Sequence, residues 1–433
     1  MNRHFLLCLC ALLTSLSECS DRSDIEQGPP CAARIFPSDG AFVRENGSVT
    51  FSWNVSPGAQ SYDLYLGAGS KQPTLIAEAV PGTDFTYAIP AGSDITYHWF
   101  VRPRDAAGNI GTCDTQTSFT TKTLPAADAQ QKVVNVLVLN YDPDVDDNGT
   151  IKKLHEYYDW HDPHKLANDF IDEVLTSSGD LVKYNIVEWR DLNEFPVKND
   201  GFRYTLSSYK ACMRNHSGCH AADELDYHVA MHKQGIVEGI NQNLFEEVWL
   251  FGGPYFGYYE SSMAGPNAFY VNGGVYSAPT NKAFVLMGFN YERGVAEMMH
   301  NLCHRMESTM SQVYGGWKAE ELTSAWANFA ANATQSNGTA AVGSCHYPPN
   351  ALSDYDYGNK KAVMSSADDW FNYPILSGTK KELNCDAWGG PDYHLEYMHW
   401  WFSHLPRRTG VGPDGMLNSW WRYLYEFNEY VIN

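Results

Sequence analysis

Positive charge is scarce in this chain. Its 433 residues carry 30 Lys and Arg against 51 Asp and Glu, a formal net charge of -21. That balance excludes nucleic acid and anionic membrane as partners, because either needs a basic face. Long apolar runs are equally scarce, and beyond residues 5–16 no stretch is long and apolar enough to span a bilayer. Several catalytic signatures are missing too. No Gly-x-Ser-x-Gly elbow occurs, Gly252-Gly253-Pro254 lacks the Lys of a phosphate loop, and no dinucleotide fingerprint follows a strand-like run. Internal repeats and low-complexity segments are absent. Metal cations and neutral substrates are the ligand classes left open.

What is present begins with an N-terminal leader. Arg3 and His4 precede the apolar run, and small polar residues follow it, so residues 1–22 read as a secretory signal peptide. Lipid anchoring at Cys19 is disfavoured by Glu18, which stands where a small residue is required. Of ten cysteines, Cys8, Cys10 and Cys19 leave with the leader, and seven remain in an export context where disulfides persist. The expected pairs are Cys31–Cys113, Cys212–Cys219 and Cys345–Cys385. Cys303 is then the odd thiol, a small helix-packing residue. Sequons at Asn46, Asn54, Asn148, Asn215, Asn332 and Asn337 fit surface loops of an exported chain.

From residue 31 to 122, short alternating segments at 48–55, 61–66, 74–79, 84–89, 96–102 and 115–121 are divided by turn residues, the pattern of an all-β sandwich. Ser52-Trp53, Tyr62-Asp63-Leu64-Tyr65 and Tyr97-His98-Trp99-Phe100-Val101-Arg102 resemble strands of fibronectin type III domains. The resemblance implies a spacer or binding module in an extracellular protein.

Residues 123–132 read as a linker. An α/β domain is expected over 133–433, with strands at 133–140, 183–189, 247–251 and 283–287 and helices at 164–176 and 227–241. Strands alternating with helices predict a mostly parallel sheet covered on both faces. Beyond about residue 315 the chain becomes rich in aromatics and loops, and is expected to wrap that sheet. The text from Val133 onward resembles a group of secreted bacterial proteins of unassigned function. Val248-Trp249-Leu250-Phe251, Pro254-Tyr255-Phe256-Gly257, His346-Tyr347-Pro348-Pro349-Asn350 and Leu417-Asn418-Ser419-Trp420-Trp421 carry that likeness. It brings no chemistry with it.

The chemistry has to come from residues 294–308. A helix there places Glu297, His300, His304 and Glu307 within an arc of roughly 80°. His300, His304 and Glu307 are candidate ligands of zinc or another divalent cation, with His346 or the His394/His399 pair as distal ligands. The run resembles a degenerate form of the zinc-peptidase helix, His-Glu-x-x-His, with Asn301 in place of the Glu. An amide does not titrate, so the base has to be another carboxylate. Glu297, one turn before His300, and Glu260, on a Gly-rich loop after a strand, are the candidates. The bland alternative is a solvated face on which Arg293, Glu297, Arg305 and Glu307 form ion pairs.

Three lesser features complete the inventory. Asp144-x-Asp146-x-Asn148-Gly149 opens like a calcium loop, but His155 stands at the twelfth position, so an acidic surface turn is expected. His155, His161 and His164, like His216, His220, His228 and His232, lack tight ligand spacing. Thirteen Trp and 27 Tyr supply sugar-stacking surfaces, and Asp368/Asp369 or Glu260 with Asp392 supply paired carboxylates. The function expected is therefore metal-dependent hydrolysis of extracellular peptides; the alternatives are glycan binding or cleavage, and non-catalytic adhesion.

Overall fold

Alternating burial along short strands builds the first part of the molecule. The computed structural model describes residues 28–45, 47–90, 92–316 and 321–432, so the expected leader, Cys19 and the Asn46 sequon lie outside the described residues. Eight strands follow: β1 (Arg34–Phe36), β2 (Ala41–Arg44), β3 (Ser48–Trp53), β4 (Ser61–Ala68), β5 (Thr74–Val80), β6 (Asp84–Ala88), β7 (Thr96–Arg104) and β8 (Thr117–Lys122). They form a three-stranded sheet, β1-β3-β6, and a five-stranded sheet, β2-β8-β7-β4-β5. Val49, Phe51, Trp53, Leu64, Trp99 and Phe119 fill a shared core. A disulfide between Cys31 and Cys113 ties the two ends together, as expected.

The second part is organised by a mixed six-stranded sheet, ordered β12-β9-β13-β16-β14-β15. It comprises β9 (Lys132–Tyr141), β12 (Val182–Leu192), β13 (Glu247–Gly252), β14 (Ser261–Ala264), β15 (Val275–Tyr276) and β16 (Phe284–Asn290), while β10 (Asp144–Asp147) and β11 (Thr150–Lys153) form a separate hairpin. β12, β9, β13 and β16 run parallel, and β14 is antiparallel to β16. The wholly apolar runs in β9, β13 and β16 are what a sheet covered on both faces requires.

The helices before the site are α1 (Leu154–Tyr157), α2 (Pro163–Ser178), α3 (Leu206–Asn215), α4 (Tyr227–Lys233) and α5 (Ile236–Asn241). Asp162 caps α2 through its carboxylate, with Pro163 at the first turn. The single helix expected over 227–241 is split into α4 and α5 at Gly235, whose φ of 59° no continuous helix accommodates. Next come α6 (Val295–Tyr314), α7 (Ala325–Phe329), α8 (Tyr393–Ser403) and α9 (Trp420–Tyr425). The aromatic-rich C-terminal segment packs into the same core as the sheet, with Trp326, Trp401 and Trp420 fully buried.

One buried network fixes α6 against this sheet. Arg305 Nη1 donates to Glu247 Oε2 of β13 at 2.7 Å, and both side chains are 2% exposed. Arg305 Nη2 donates to the Leu424 carbonyl at 3.1 Å. Glu247 Oε1 also accepts from Trp249 Nε1 at 3.0 Å, so no member of the pair is left unsolvated. The expected solvated ion-pair face is therefore corrected in part. Arg293 and Glu297 do pair at 3.3 Å on the exposed side, but Arg305 points into the core. Removing one partner of a buried pair strands the other, so Arg305→Leu should cost about 3–5 kcal/mol. A fall in urea midpoint of less than about 1 kcal/mol equivalent would contradict that placement.

Candidate metal centre

α6 leaves the carboxyl end of β16 through the turn at 291–294 and starts at Gly294. Met298, Met299, Leu302, Met306 and Met310 bury one face of it in the core. Asn301 sits on the less buried side and donates from Nδ2 to the Gly288 carbonyl at 2.8 Å, tying the helix to the end of β16. That bond explains an amide where the peptidase pattern has a carboxylate.

Three imidazoles converge beside it. Nε2 of His346 lies 3.1 Å from Nε2 of His300 and 2.9 Å from Nε2 of His304, and the ligand atoms of the three lie within 4.8 Å of one another. Their outer nitrogens are all occupied. His304 Nδ1 is 2.9 Å from Glu307 Oε2, His346 Nδ1 is 3.0 Å from Asp354 Oδ1, and His300 Nδ1 is 3.1 Å from His394 Nε2. Carboxylates only accept, so Glu307 and Asp354 fix the proton on Nδ1 of their rings. In the neutral rings Nε2 then carries a lone pair. Two such lone pairs facing each other at 2.9 Å repel unless a cation lies between them. This donor set suits a divalent ion of the zinc type, which takes neutral imidazole nitrogens backed by carboxylates.

Electrostatics distinguish His300, His304 and the neighbouring His394. Burial lowers the pKa of His300 to about 2, aided by the neighbouring imidazoles His304, His394 and His346. Burial also opposes the charged form of His304, but the hydrogen bond and charge of Glu307 outweigh it and raise that pKa. Burial lowers the pKa of His394.

A disulfide brackets the site, and it differs from expectation. Cys303 of α6 pairs with Cys345, with Cα atoms 5.9 Å apart, while Cys385 is a free buried thiol. Cys303 lies beside His304 and Cys345 beside His346, so the bond fastens the helix to the loop that brings the third ring. The expected Cys345–Cys385 pair is thereby corrected. Cys303 and Cys345 also fall near Glu307 as a second potential ligand group, but their sulfurs are bonded to each other. Cys212–Cys219 forms as expected.

The remaining predicted residues take varied places. Glu307 stands behind His304, its second oxygen accepting from the Cys345 amide at 2.8 Å. Glu260 lies just before β14, where Asn272 Nδ2 donates to Oε2 and its charge reaches His304 and Tyr355. Glu260, Glu297 and Asn301 line one recess of about 310 Å³. His399 is bonded to Glu173 instead, 2.9 Å away. Asp369 is buried and accepts from Ser377 and Gly378, Asp368 pairs with Lys381 and His404, and Asp392 caps α8, so none is a free member of a carboxylate pair. The calcium-like run is the β10–β11 hairpin, with Asn148 and Gly149 at positive φ and Asp144 and Asp147 paired to Lys153 and Lys152. His155 pairs with Asp142 and His220 with Asp200. No Trp among the described residues is exposed.

Asp354, Tyr355 and Tyr357 carried no signal in the sequence. Tyr355 has a φ of 60°, is 54% exposed, and lays its ring 4.4 Å from that of His346. A bulky residue in the left-handed region is strained, and such strain clusters at functional sites. Tyr357 stacks on His394 with ring centres 4.7 Å apart.

No protein-family profile matches the chain, and no curated protein matches it. Among solved structures the chain is similar to a Fn3-like protein from Clostridium thermocellum, at 18% identity over 23% of this chain and 100% of that one, with a TM-score of 0.19. It is also similar to the fibronectin type-III domain of human fibronectin type III domain containing protein 3, at 16% identity over 23% of this chain and 93% of that one, with a TM-score of 0.19. A third is the beta-1,2-glucanase from Parabacteroides distasonis, at 16% identity over 23% of this chain and 14% of that one, with a TM-score of 0.18.

Glu307→Gln or Asp354→Asn should weaken zinc binding about 10–100-fold, the usual consequence of losing a carboxylate behind a ligating imidazole. Competition against a chromophoric chelator reads the change. An unaltered affinity in both variants would show that these carboxylates do not set the rings.

Proposed function

We propose that this protein is a metal-dependent hydrolase of extracellular peptides, holding one divalent cation, zinc first, on Nε2 of His300, His304 and His346. One observation carries the reading: three Nε2 atoms meet while the carboxylates behind two of the rings keep their protons on the far side. When bound, such a cation polarises a carbonyl and makes water acidic near neutral pH. Glu260, whose charge acts on His304, is the carboxylate we assign as base, in place of the amide Asn301. It takes a proton from the attacking water as the water oxygen bonds to the carbonyl carbon, and delivers that proton to the amine nitrogen as the C–N bond breaks. The three disulfides fit an extracellular protein, and no helix among the described residues is long and apolar enough to cross a membrane.

Glu297 shares the recess with Glu260, which keeps glycan cleavage by paired carboxylates as the second reading. The Arg293 ion pair on Glu297 weighs against it.

Protein purified without chelator should carry about one zinc per chain, and His300→Ala/His304→Ala should carry none. Equal, negligible metal in both would overturn the centre. Glu260→Gln should keep the metal and lose hydrolysis by about 100-fold or more. Unchanged turnover would move the base role to Glu297.

A further inference from the structure

One stripe of α6 escapes burial, and it runs the length of the helix. Glu297, Asn301, His304, Ser308 and Gln312 are spaced by three or four residues and so share a face, with Arg293 just before the helix paired to Glu297, while the opposite face is core. Two recesses lie along this stripe. The first, about 310 Å³, is lined by Arg293, Glu297, Asn301 and Glu260; the second, about 630 Å³, by His304, Ser308, Gln312, Tyr270 and Asn272. Glu260 closes one and Asn272 the other, and the two are hydrogen bonded to each other. On α6, Asn301 lines the first recess and His304 the second. Asn272 holds a φ of 79°, and its Oδ1 accepts from Tyr270 Oη at 3.2 Å, so the amide that aims Glu260 is itself fixed from behind.

We infer that the two recesses are the halves of one groove for an extended polypeptide, with the histidine centre at its waist, so that cleavage falls inside the chain and not at its ends. This rests on the hydrolase reading above. From Val295 to Tyr314 the helix rises about 30 Å. An extended chain of about ten residues covers that span. The second recess offers the hydroxyls of Ser308 and Ser311 and the amide of Gln312, groups that pair with backbone N–H and C=O without demanding a particular side chain. The first ends on the Arg293/Glu297 pair, a charged end that discriminates among side chains. Binding energy gathered in both halves is available at the waist, so long substrates gain in turnover as well as affinity.

The test uses the full chain, with and without zinc, and end-blocked random peptide pools of four, six, eight and ten residues. Anisotropy of labelled pools on Glu260→Gln should show tighter binding with length whether or not zinc is held. On zinc-loaded wild type, kcat/KM of quenched pools should climb about tenfold or more from four to ten residues, with cuts at internal bonds. Gln312→Trp, whose ring fills the second recess, should abolish the climb at unchanged zinc content. Length-independent binding and turnover, release of single terminal residues, or binding of chitohexaose in place of any peptide would overturn the groove. A chain that fails to hold zinc yet binds by length sinks the metal reading alone.

Discussion

The Arg305–Glu247 pair is the point about which α6 cannot turn. Both side chains are almost wholly excluded from water, and neither charge has an alternative partner of opposite sign among its bonded neighbours. Rotating the helix by even one residue would leave a guanidinium and a carboxylate separately buried, at a cost far larger than any surface contact returns. That lock sets His304, the residue before Arg305, on the less buried flank. It sets His300 one turn earlier at the edge of the core, and it leaves the opposite stripe facing the groove.

Around that fixed helix, the site is an arrangement of proton positions as much as of atoms. Each ring has one nitrogen committed outward, to Glu307, Asp354 or His394, and one turned inward. The acidity of the chain acts here locally: carboxylates sit behind two of the rings and set their tautomers. Glu307 shows this economy, since one carboxylate orients His304 and also holds the amide of Cys345.

The parts of this arrangement that depend on local spacing were readable in advance. His300 and His304 share a helical face by periodicity, and the apolar run before them reads as a strand from its short length and the Gly288 that follows. His346 was nameable as a distal ligand but not distinguishable from His394 or His399, since loops carry no period that fixes where they return. Asp354 and Tyr355 lie on such a loop. Arg305 was misread for a related reason: on a short helical arc a charged residue beside a histidine looks solvated, and only the partner on β13, 58 residues away, reveals that it is buried. Cys303 reads as a packing residue for the same cause, since its sequence neighbours carry no sign of a partner 42 positions away. The sandwich strands, by contrast, were legible because alternation is a local signal, although the short β1 and β2 were missed.

The Cys303–Cys345 bond has a consequence in time. The segment bearing His346 is joined to α6 next to His304, each cysteine being the immediate sequence neighbour of a histidine of the cluster. Until that bond closes, the third ring hangs on a loop of some forty residues, and the entropy of that loop opposes its return. Oxidation therefore favours the assembled arrangement of the three rings. Reduced, the chain keeps His300 and His304 together on one helix but bears that entropic cost in bringing His346 to them.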